Sequence, residues 1–475
     1  MLDKNCSTCS TPCSTNYTYK PKKGLNEQVI REISAQKKEP NWMLEYRLNS
    51  FNYFLNKKMQ TWGPDLSRLD FNDLYFYLKP DGLNSESVMP EGDYKTTSWD
   101  DVSKDIKQTF DELGVIENEK KYLAGLGAQY ESEIIYHNLK KEWVDQGVIF
   151  LGPDQALKKH PEIFKKYFGT VVPFDDNKFS ALNGAAWSGG SFIYVPKGVK
   201  ISTPLQSYYR INEQNMGQFE RTLIIADEGA QVSYIEGCTA PNYMTNSLHS
   251  AVVEIIAKKD ASVKYYTIQN WSKNIYNLVT QRAIAYENAT VEWIDANIGS
   301  GITMKYPSVI LAGQNAKTSI LSLAIAGFKG QIQDSGAKAI HLASNTVSKI
   351  ISKSISSNGG VASFRGKIKV AKNAKNCKAF MECDSLITDN VSRADAYPFL
   401  DVAETDTQVG HEARVSRIAD EQIFYLMSRG LTNQDAQSLV INGFIGSFTK
   451  NLPIEYAIEI SRLVEMELSG DCDVK

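Results

Sequence analysis

At 475 residues, with 23% charged and 42% hydrophobic side chains, the chain has an ordinary soluble-protein composition and length for two or three domains, or for one elongated domain with appendages. A net charge of −3 provides no global basic field for nucleic acid, and no apolar run reaches the roughly 18 residues of a membrane span, so neither is an expected partner. The N-terminus, MLDKNCSTCSTPC, lacks the apolar segment of a secretory signal, and seven cysteines, an odd number, suit free or metal-binding thiols in a reducing, cytoplasmic setting better than a disulfide framework.

Residues 1–24 are polar and rich in Cys, Ser, Thr and Lys, and read as a flexible tail. Residues 25–60 are helical by spacing: Val29, Ile33, Met43, Leu44, Leu48 and Phe51 recur at three- and four-residue steps, with Pro40 as an interruption. Residues 61–100 hold turn formers, and helical spacing returns in VSKDIKQTFDELGV and ALKKHPEIFKKYF, so 25–170 is expected to be a mainly helical N-terminal domain. From residue 171 to about 410 the composition shifts to Val, Ile, Thr, Tyr and Ser in short runs broken by Gly, Asn and Asp, which is strand composition.

That stretch repeats. KGVKISTPL, EGAQVSYIE, KDASVKYYT and ENATVEWID share a charged residue, then Gly, Asp or Asn, then a small residue and an apolar/polar alternation; QNAKTSILS, SNTVSKI and KNAKNCKAF are weaker copies. Taking Ile201, Val232, Val263, Val291, Thr318, Val347 and Asn376 as equivalent, the spacings are 31, 31, 28, 27, 29 and 29. Gly, Asp and Asn tolerate the positive φ of a tight turn, and the alternation that follows turns one face inward. A near-constant period of this size in β-rich sequence predicts a solenoid, a parallel β-helix, with a large β-sandwich of regular turns as the alternative.

After residue 410 the pattern is helical again. Thr432 to Asp435 reads as a capping box and Pro453 as a first-turn proline; Ile454, Ala457, Ile458, Leu463, Val464 and Leu468 form an apolar stripe. That stripe needs a partner surface, either the solenoid or another protein.

NGAAWSGGSFIYVPKGV, YYRINEQNMGQFERTLIIADEGAQVSYIEGCTAP, TIQNW, MKYPSVIL, CDSLI, GHEARVSRI, EPNWMLEYRLNSF and INGF resemble segments of the SufB family, the iron–sulfur cluster scaffolds of the SUF system, and the likeness runs from about residue 24 to 468. The resemblance implies a right-handed parallel β-helix between helical domains and pairing through the solenoid with a SufD-like chain or a second SufB-like copy. It implies that the C-terminal helices, 411–475, bind a SufC-type ABC ATPase, and that sulfur comes from a cysteine desulfurase or sulfur-transfer protein. The cargo would be a transient iron–sulfur cluster; whether a reduced flavin takes part stays open.

The chemistry-bearing residues follow. Cys238, in YIEGCTAP, is by itself a cysteine beside a turn, often a small buried hydrophobe. A thiolate there can accept sulfane sulfur or ligate iron, and the resemblance makes it the sulfur acceptor. Arg210, Asn212, Gln269 and Trp271 match family positions along a sulfur route inside the solenoid, and are equally readable as structural polar residues. An adjacent His-Glu pair is weak evidence by itself, but the resemblance makes His411 and Glu412 the metal-ligand candidates, imidazole and carboxylate holding iron less tightly than four thiolates; Cys383 also matches a family position, though by itself it reads first as a packed core thiol. Some family members carry Cys nine residues before this His, where this chain has Val402, which leaves Glu404, Asp406 or a partner chain to complete the set. Cys6, Cys9 and Cys13, spaced C-x2-C-x3-C, could wrap a cluster or be an incidental thiol-rich tail. No phosphate loop is present, GVASFRGK lacking the final Ser or Thr, so ATP chemistry would belong to a partner and the chain itself reads as a non-enzymatic scaffold. Two other readings are a SufD-like structural partner and a β-helix carbohydrate enzyme using Glu287, Glu292 and Asp295, all read as solvated.

Overall fold

A computed structural model of the chain describes residues 17–80, 123–240, 246–450, 452 and 454–469. The expected helix through VSKDIKQTFDELGV, Pro453, the Cys6/Cys9/Cys13 motif and Cys472 lie outside those residues.

The repeat folds as expected into a parallel β-solenoid of about seven turns. Each coil contributes strands to two facing sheets. One runs through Leu205–Arg210, Gln231–Thr239, Ser262–Trp271, Thr290–Gly299, Lys317–Ala326, Val347–Ser356, Cys377–Ile387 and Thr407–Arg417; the other ends on Arg393–Val402. Neighbouring strands pair in parallel, which removes the β-sandwich alternative.

The turn chemistry accounts for the period. Gly198, Gly229, Asp260, Asn288, Asn315, Asn345 and Asn376 all have φ between 55° and 76°, the left-handed region that only Gly, Asn and Asp enter cheaply. Register then corrects two of the equivalences read from sequence. Thr318 aligns with Ser348 rather than Val347, and Ser348 with Ala379 rather than Asn376. Asn376 is a turn residue, and a shift of one position would send Val347 to the outer face.

Three further expectations are revised. Within 25–170, Gly125–Tyr130 and Glu133–Leu139 are strands, not helix: they form a hairpin whose first strand pairs in parallel with Leu205–Arg210 and extends the solenoid. Strand pairing there overrides the helical propensity of Leu, Ala, Gln and Glu. At the other end the solenoid runs to Arg417, past the expected boundary at 411, and helices begin at Asp420. The apolar stripe of the last helix divides: Leu463 and Val464 are buried, while Ile458 is exposed.

The helices flank the two sheets. Glu27–Lys37 and Asn41–Asn56, separated at Lys38–Pro40 as Pro40 requires, pack with Lys178–Ala186 against Leu248, Tyr276, Leu278 and Met304 of the second sheet. The helices Asp420–Ser428, Asn433–Thr449 and Ile454–Ser469 lay Ile441, Ile445, Phe448, Leu463 and Val464 on Ile294, Leu321 and Leu323 on the outside of the first sheet. Thr432 caps the middle helix by accepting from Asp435 N at 3.1 Å. Among the described residues no helix is long and apolar enough to cross a membrane.

Candidate functional site

Cys238 stands on Gln231–Thr239 and faces the solenoid interior, 3% exposed. Register sets it between Tyr209 of the coil before and Gln269 of the coil after. Glu236, two residues back on the same inner face, accepts a hydrogen bond from Tyr265 OH at 2.6 Å, and the Cys238 thiol faces its other oxygen at 3.8 Å. Burial pushes the thiol well above its ordinary pKa; Glu236 and Glu220 add to the rise and Lys305 opposes it. Burial likewise raises Glu236, against the hydrogen bond from Tyr265.

The facing sheet closes this compartment with polar side chains. His249 Nδ1 lies 2.8 Å from Asn277 Oδ1, and Asn277 donates to Gln269 Oε1 at 2.6 Å. The other ring nitrogen is 2.9 Å from Glu220 Oε2, close enough to pair as ions although off the line of a hydrogen bond. Burial pulls the His249 pKa down, but Glu220 and Asn277 outweigh it and the net shift is upward. The His249 ring packs on Trp271 at 4.6 Å. Lys305 reaches across from Ile302–Lys305, donates to Thr267 Oγ1 at 3.1 Å and forms a fully buried ion pair with Asp295, which also accepts from Asn297 at 2.7 Å.

Following the register outward from Cys238 exposes a seam. The inner positions Ser207, Glu236, Thr267, Asp295, Ser322, Ser352 and Cys383 stack coil upon coil and are all buried. Beside them run Cys238, Gln269, Asn297, Ala324, Ser354 and Ser385. Gln269 Nε2, Asn297 Oδ1 and Ser322 Oγ have no partner among the described residues, unusual for an interior in which buried polar atoms are nearly always paired. The seam ends on Cys383, whose thiol burial pushes up to about 11.

At the final coil, His411 aligns with Met381 and so falls on the inner-facing side of its strand, one coil beyond Cys383 and two residues along. Glu412 aligns with Glu382 on the opposite side and accepts from Arg414 at 2.9 Å. Adjacent strand residues alternate faces, so this neighbouring pair diverges rather than converging on one ion. Glu404 accepts backbone N–H bonds from Asn373, Thr405 and Asp406, a turn-forming role that lowers its pKa, the bond from Asp406 first. Among the described residues no three His, Cys, Asp or Glu side chains gather into a metal-holding group.

The structure therefore brings Cys238, Gln269 and Trp271 together. Arg210 aligns with Thr239, out of phase with Cys238, and its strand position faces away from the interior; Asn212 follows just beyond, its backbone N–H donating to Glu131 Oε1 at 3.1 Å. Glu236, His249, Lys305 and Asp295 were missed. For Glu236 and Asp295 the signal was present: four residues after Val232, Val263, Val291 and Thr318 the inward column reads Glu236, Thr267, Asp295 and Ser322, persistently polar where a packed core would be apolar, whereas His249 and Lys305 stand on the facing sheet, outside that column. Asp295 is thus buried rather than solvated, while Glu292 pairs with Lys264 and Glu287 with Lys259 at 3.0 Å each, so the three carboxylates do not form a catalytic pair.

Comparison with known proteins agrees with this architecture. The family described as SUF system FeS cluster assembly, SufBD core domain, matches residues 209–444, and the SufBD protein N-terminal region matches 129–207. An iron-sulfur cluster assembly SufBD family protein of Staphylococcus saprophyticus is 56% identical over 452 residues, covering 95% of each chain. A relative of the same description from Staphylococcus aureus is 55% identical over the same span, again 95% of each chain.

Proposed function

The chain belongs to the SufBD family of iron–sulfur cluster assembly proteins, and we infer that within it this chain plays the SufB-like part: a scaffold that takes sulfane sulfur on Cys238 and builds a cluster near its last coil. The observation that carries the reading is the buried polar seam that begins beside Cys238 and ends on Cys383, one coil from His411. A solenoid needs only apolar side chains inside to hold together, and a run of polar ones is retained against the cost of desolvation.

The acceptor step is an exchange. Cys238 gives up its proton as its sulfur attacks the outer sulfur of a donor persulfide, the donor's S–S bond breaks, and the donor sulfur leaves and takes up the proton. A cysteine desulfurase or sulfur-transfer protein is the donor. Cys383 and His411 share the inward side and are the first ligands for iron; Glu412, on the other side of its strand, would join only with a change of local geometry. A second chain supplies the remaining ligands: a SufD-like protein or another copy, docked on Arg393–Val402 and Thr407–Arg417, where Tyr397, Phe399, Leu400, Val402 and Val415 are exposed. A SufC-type ATPase fits the other exposed apolar patch, Phe424, Tyr425, Met427, Leu439 and Ile458 on the C-terminal helices. The iron–sulfur cluster is cargo in this scheme.

Anaerobic reconstitution with the donor, iron and the partner chains tests the reading. Cys238→Ser is expected to abolish the mass gain of one sulfur and the visible cluster bands while leaving the circular dichroism melt unchanged. His411→Ala should take up sulfur normally and hold less cluster. Full assembly by Cys238→Ser would leave the chain the SufD-like structural role instead.

A further inference from the structure

The register that links Cys238 to Cys383 also separates them. From the Cys238 position the seam passes Gln269, Asn297, Ala324 and Ser354 before reaching the Cys383 strand at Ser385. Five parallel strand spacings of about 4.8 Å set the two thiols roughly 24 Å apart. Thiol–persulfide exchange needs the attacking sulfur in bonding contact with the sulfur it takes. Neither inner column carries a thiol between the two cysteines, and both side chains are fixed on paired strands. Exchange from one to the other is excluded by geometry, so sulfur that travels this seam must travel detached.

Detached sulfur at the sulfide level is an anion, and among the described residues Lys305 is a cation that reaches the seam. Lys305 is fully buried and stands at the second and third coils, bonded to Thr267 and Asp295. An ammonium carries three donors, and these two partners use two of them. Nearby, Gln269 Nε2 and Trp271 Nε1 are buried donors with no acceptor among the described residues. Gln269 is the register neighbour of Cys238 on one side and of Asn297 on the other. Burial favours the protonated form of Glu236, which lessens the repulsion an anion would meet on leaving Cys238.

We propose that sulfur leaves Cys238 as hydrosulfide, released by a thiol reductant, and is held in the seam by the Lys305 ammonium and the Gln269 amide. The inference rests on Cys238 as sulfur acceptor. The step balances as the Cys238 persulfide plus one reductant thiol and one reductant thiolate giving the free Cys238 thiol, the hydrosulfide anion and one disulfide: the persulfide S–S bond breaks and the reductant's S–S bond forms. Lys305 is a positioning residue here, not an attacking group.

The test has two arms, both on anaerobic, iron-free full-length chain, with bound sulfide measured after rapid desalting. In the first, sodium sulfide is added directly; in the second, Cys238 is loaded with polysulfide and then reduced with dithiothreitol. Wild type should retain about one sulfide per chain in both arms, and Lys305→Arg should do the same. Lys305→Met/Asp295→Asn, which removes both ends of the ion pair, should retain at least tenfold less. Gln269→Met, which leaves the ion pair intact, should also lose retention and serves if the double variant fails to fold. Cys238→Ser should match wild type in the first arm and retain nothing in the second. Equal retention by wild type and the Lys305 and Gln269 variants, or no retention by wild type in the first arm, overturns the inference. A wild-type chain that gains no sulfur mass on polysulfide loading defeats the Cys238 reading alone, because the first arm still decides whether Lys305 holds sulfide.

Discussion

The solenoid interior is finished differently at its two ends. Around Cys238 the inner face carries Glu236, His249, Asp295 and Lys305, all buried and held by Tyr265, Asn277 and Thr267. At the last coil the inner face carries His411 and Val415 on one sheet and Leu400 and Val402 on the other, and the three apolar residues are 41–50% exposed because no further coil covers them. The first region is preorganised within one chain. The second has coil geometry without the next coil, so whatever completes it comes from elsewhere. Tyr265 and Trp293, tilted against each other with ring centroids 5.1 Å apart between the polar columns and the apolar core, show how the chain supports buried charge: aromatic bulk on one side and hydrogen-bonded polar groups on the other.

Truncation tests that contrast most strongly. Trp293→Ala removes a fully buried ring in the middle of the solenoid and should cost about 3–5 kcal/mol in urea unfolding. Leu400→Ala, on the uncovered end, should stay within about 0.5 kcal/mol for the isolated chain. A large loss at Leu400 would mean that the end coil is already packed in solution, by a second copy or otherwise, and the contrast would fail.

Titration gives the second contrast. Glu131, at the hairpin end, is raised from 4.5 to about 8, with burial as the leading cause. The folded chain keeps that proton where the unfolded chain has lost it, so its stabilising effect is full below about 4.5 and disappears as pH rises through 8. His341, toward the other end, is lowered from 6.5 to about 4 by burial, its two nitrogens 2.8 Å from Thr346 and Ser348 hydroxyls. There the unfolded chain binds the proton first, so the contribution is present above 6.5 and is lost on acidification toward 4. Glu131→Gln should gain stability relative to wild type as pH climbs from 4.5 to 8, and His341→Asn should lack the wild-type loss between 6.5 and 4. Each slope is at most about 1.4 kcal/mol per pH unit. Unfolding midpoints measured across this range decide both; parallel curves for variant and wild type would count against the assigned protonation states.

Much of this was legible in the sequence. The repeat gave the coil, because Gly, Asp and Asn at a fixed offset are required by backbone geometry alone, and the family likeness singled out Cys238. The hairpin at 125–139 was not legible: Gly125–Tyr130 has no strand signature, and only pairing with Leu205–Arg210 makes it one. Lys305 was hidden for a different reason. A charged residue in an alternating run looks solvated until register shows which face it shares, and the ion pair joins strands of two different sheets. The divergence of His411 and Glu412 was concealed in the same way, since adjacency in sequence is opposition in a strand.

The smallest effect sharpens the part that both ends share, the turn that repeats from coil to coil. Asn288, at φ 56°, donates to Asp260 Oδ1 at 2.8 Å and accepts from Asn315 at 2.9 Å, so neighbouring turns are linked by a short side-chain ladder as well as by backbone conformation. Asn288→Ala loses both and should cost about 1–2 kcal/mol, the penalty of a Cβ in the left-handed region. Asn288→Gly loses only the ladder and should cost a few tenths, because these bonds are exposed to water and glycine enters that region freely. If the two substitutions prove equally damaging in urea unfolding, the ladder and not the backbone sets the coil period. Asn and Asp would then be required for what their side chains bond, and the glycines at 198 and 229 would be the weak turns of the solenoid.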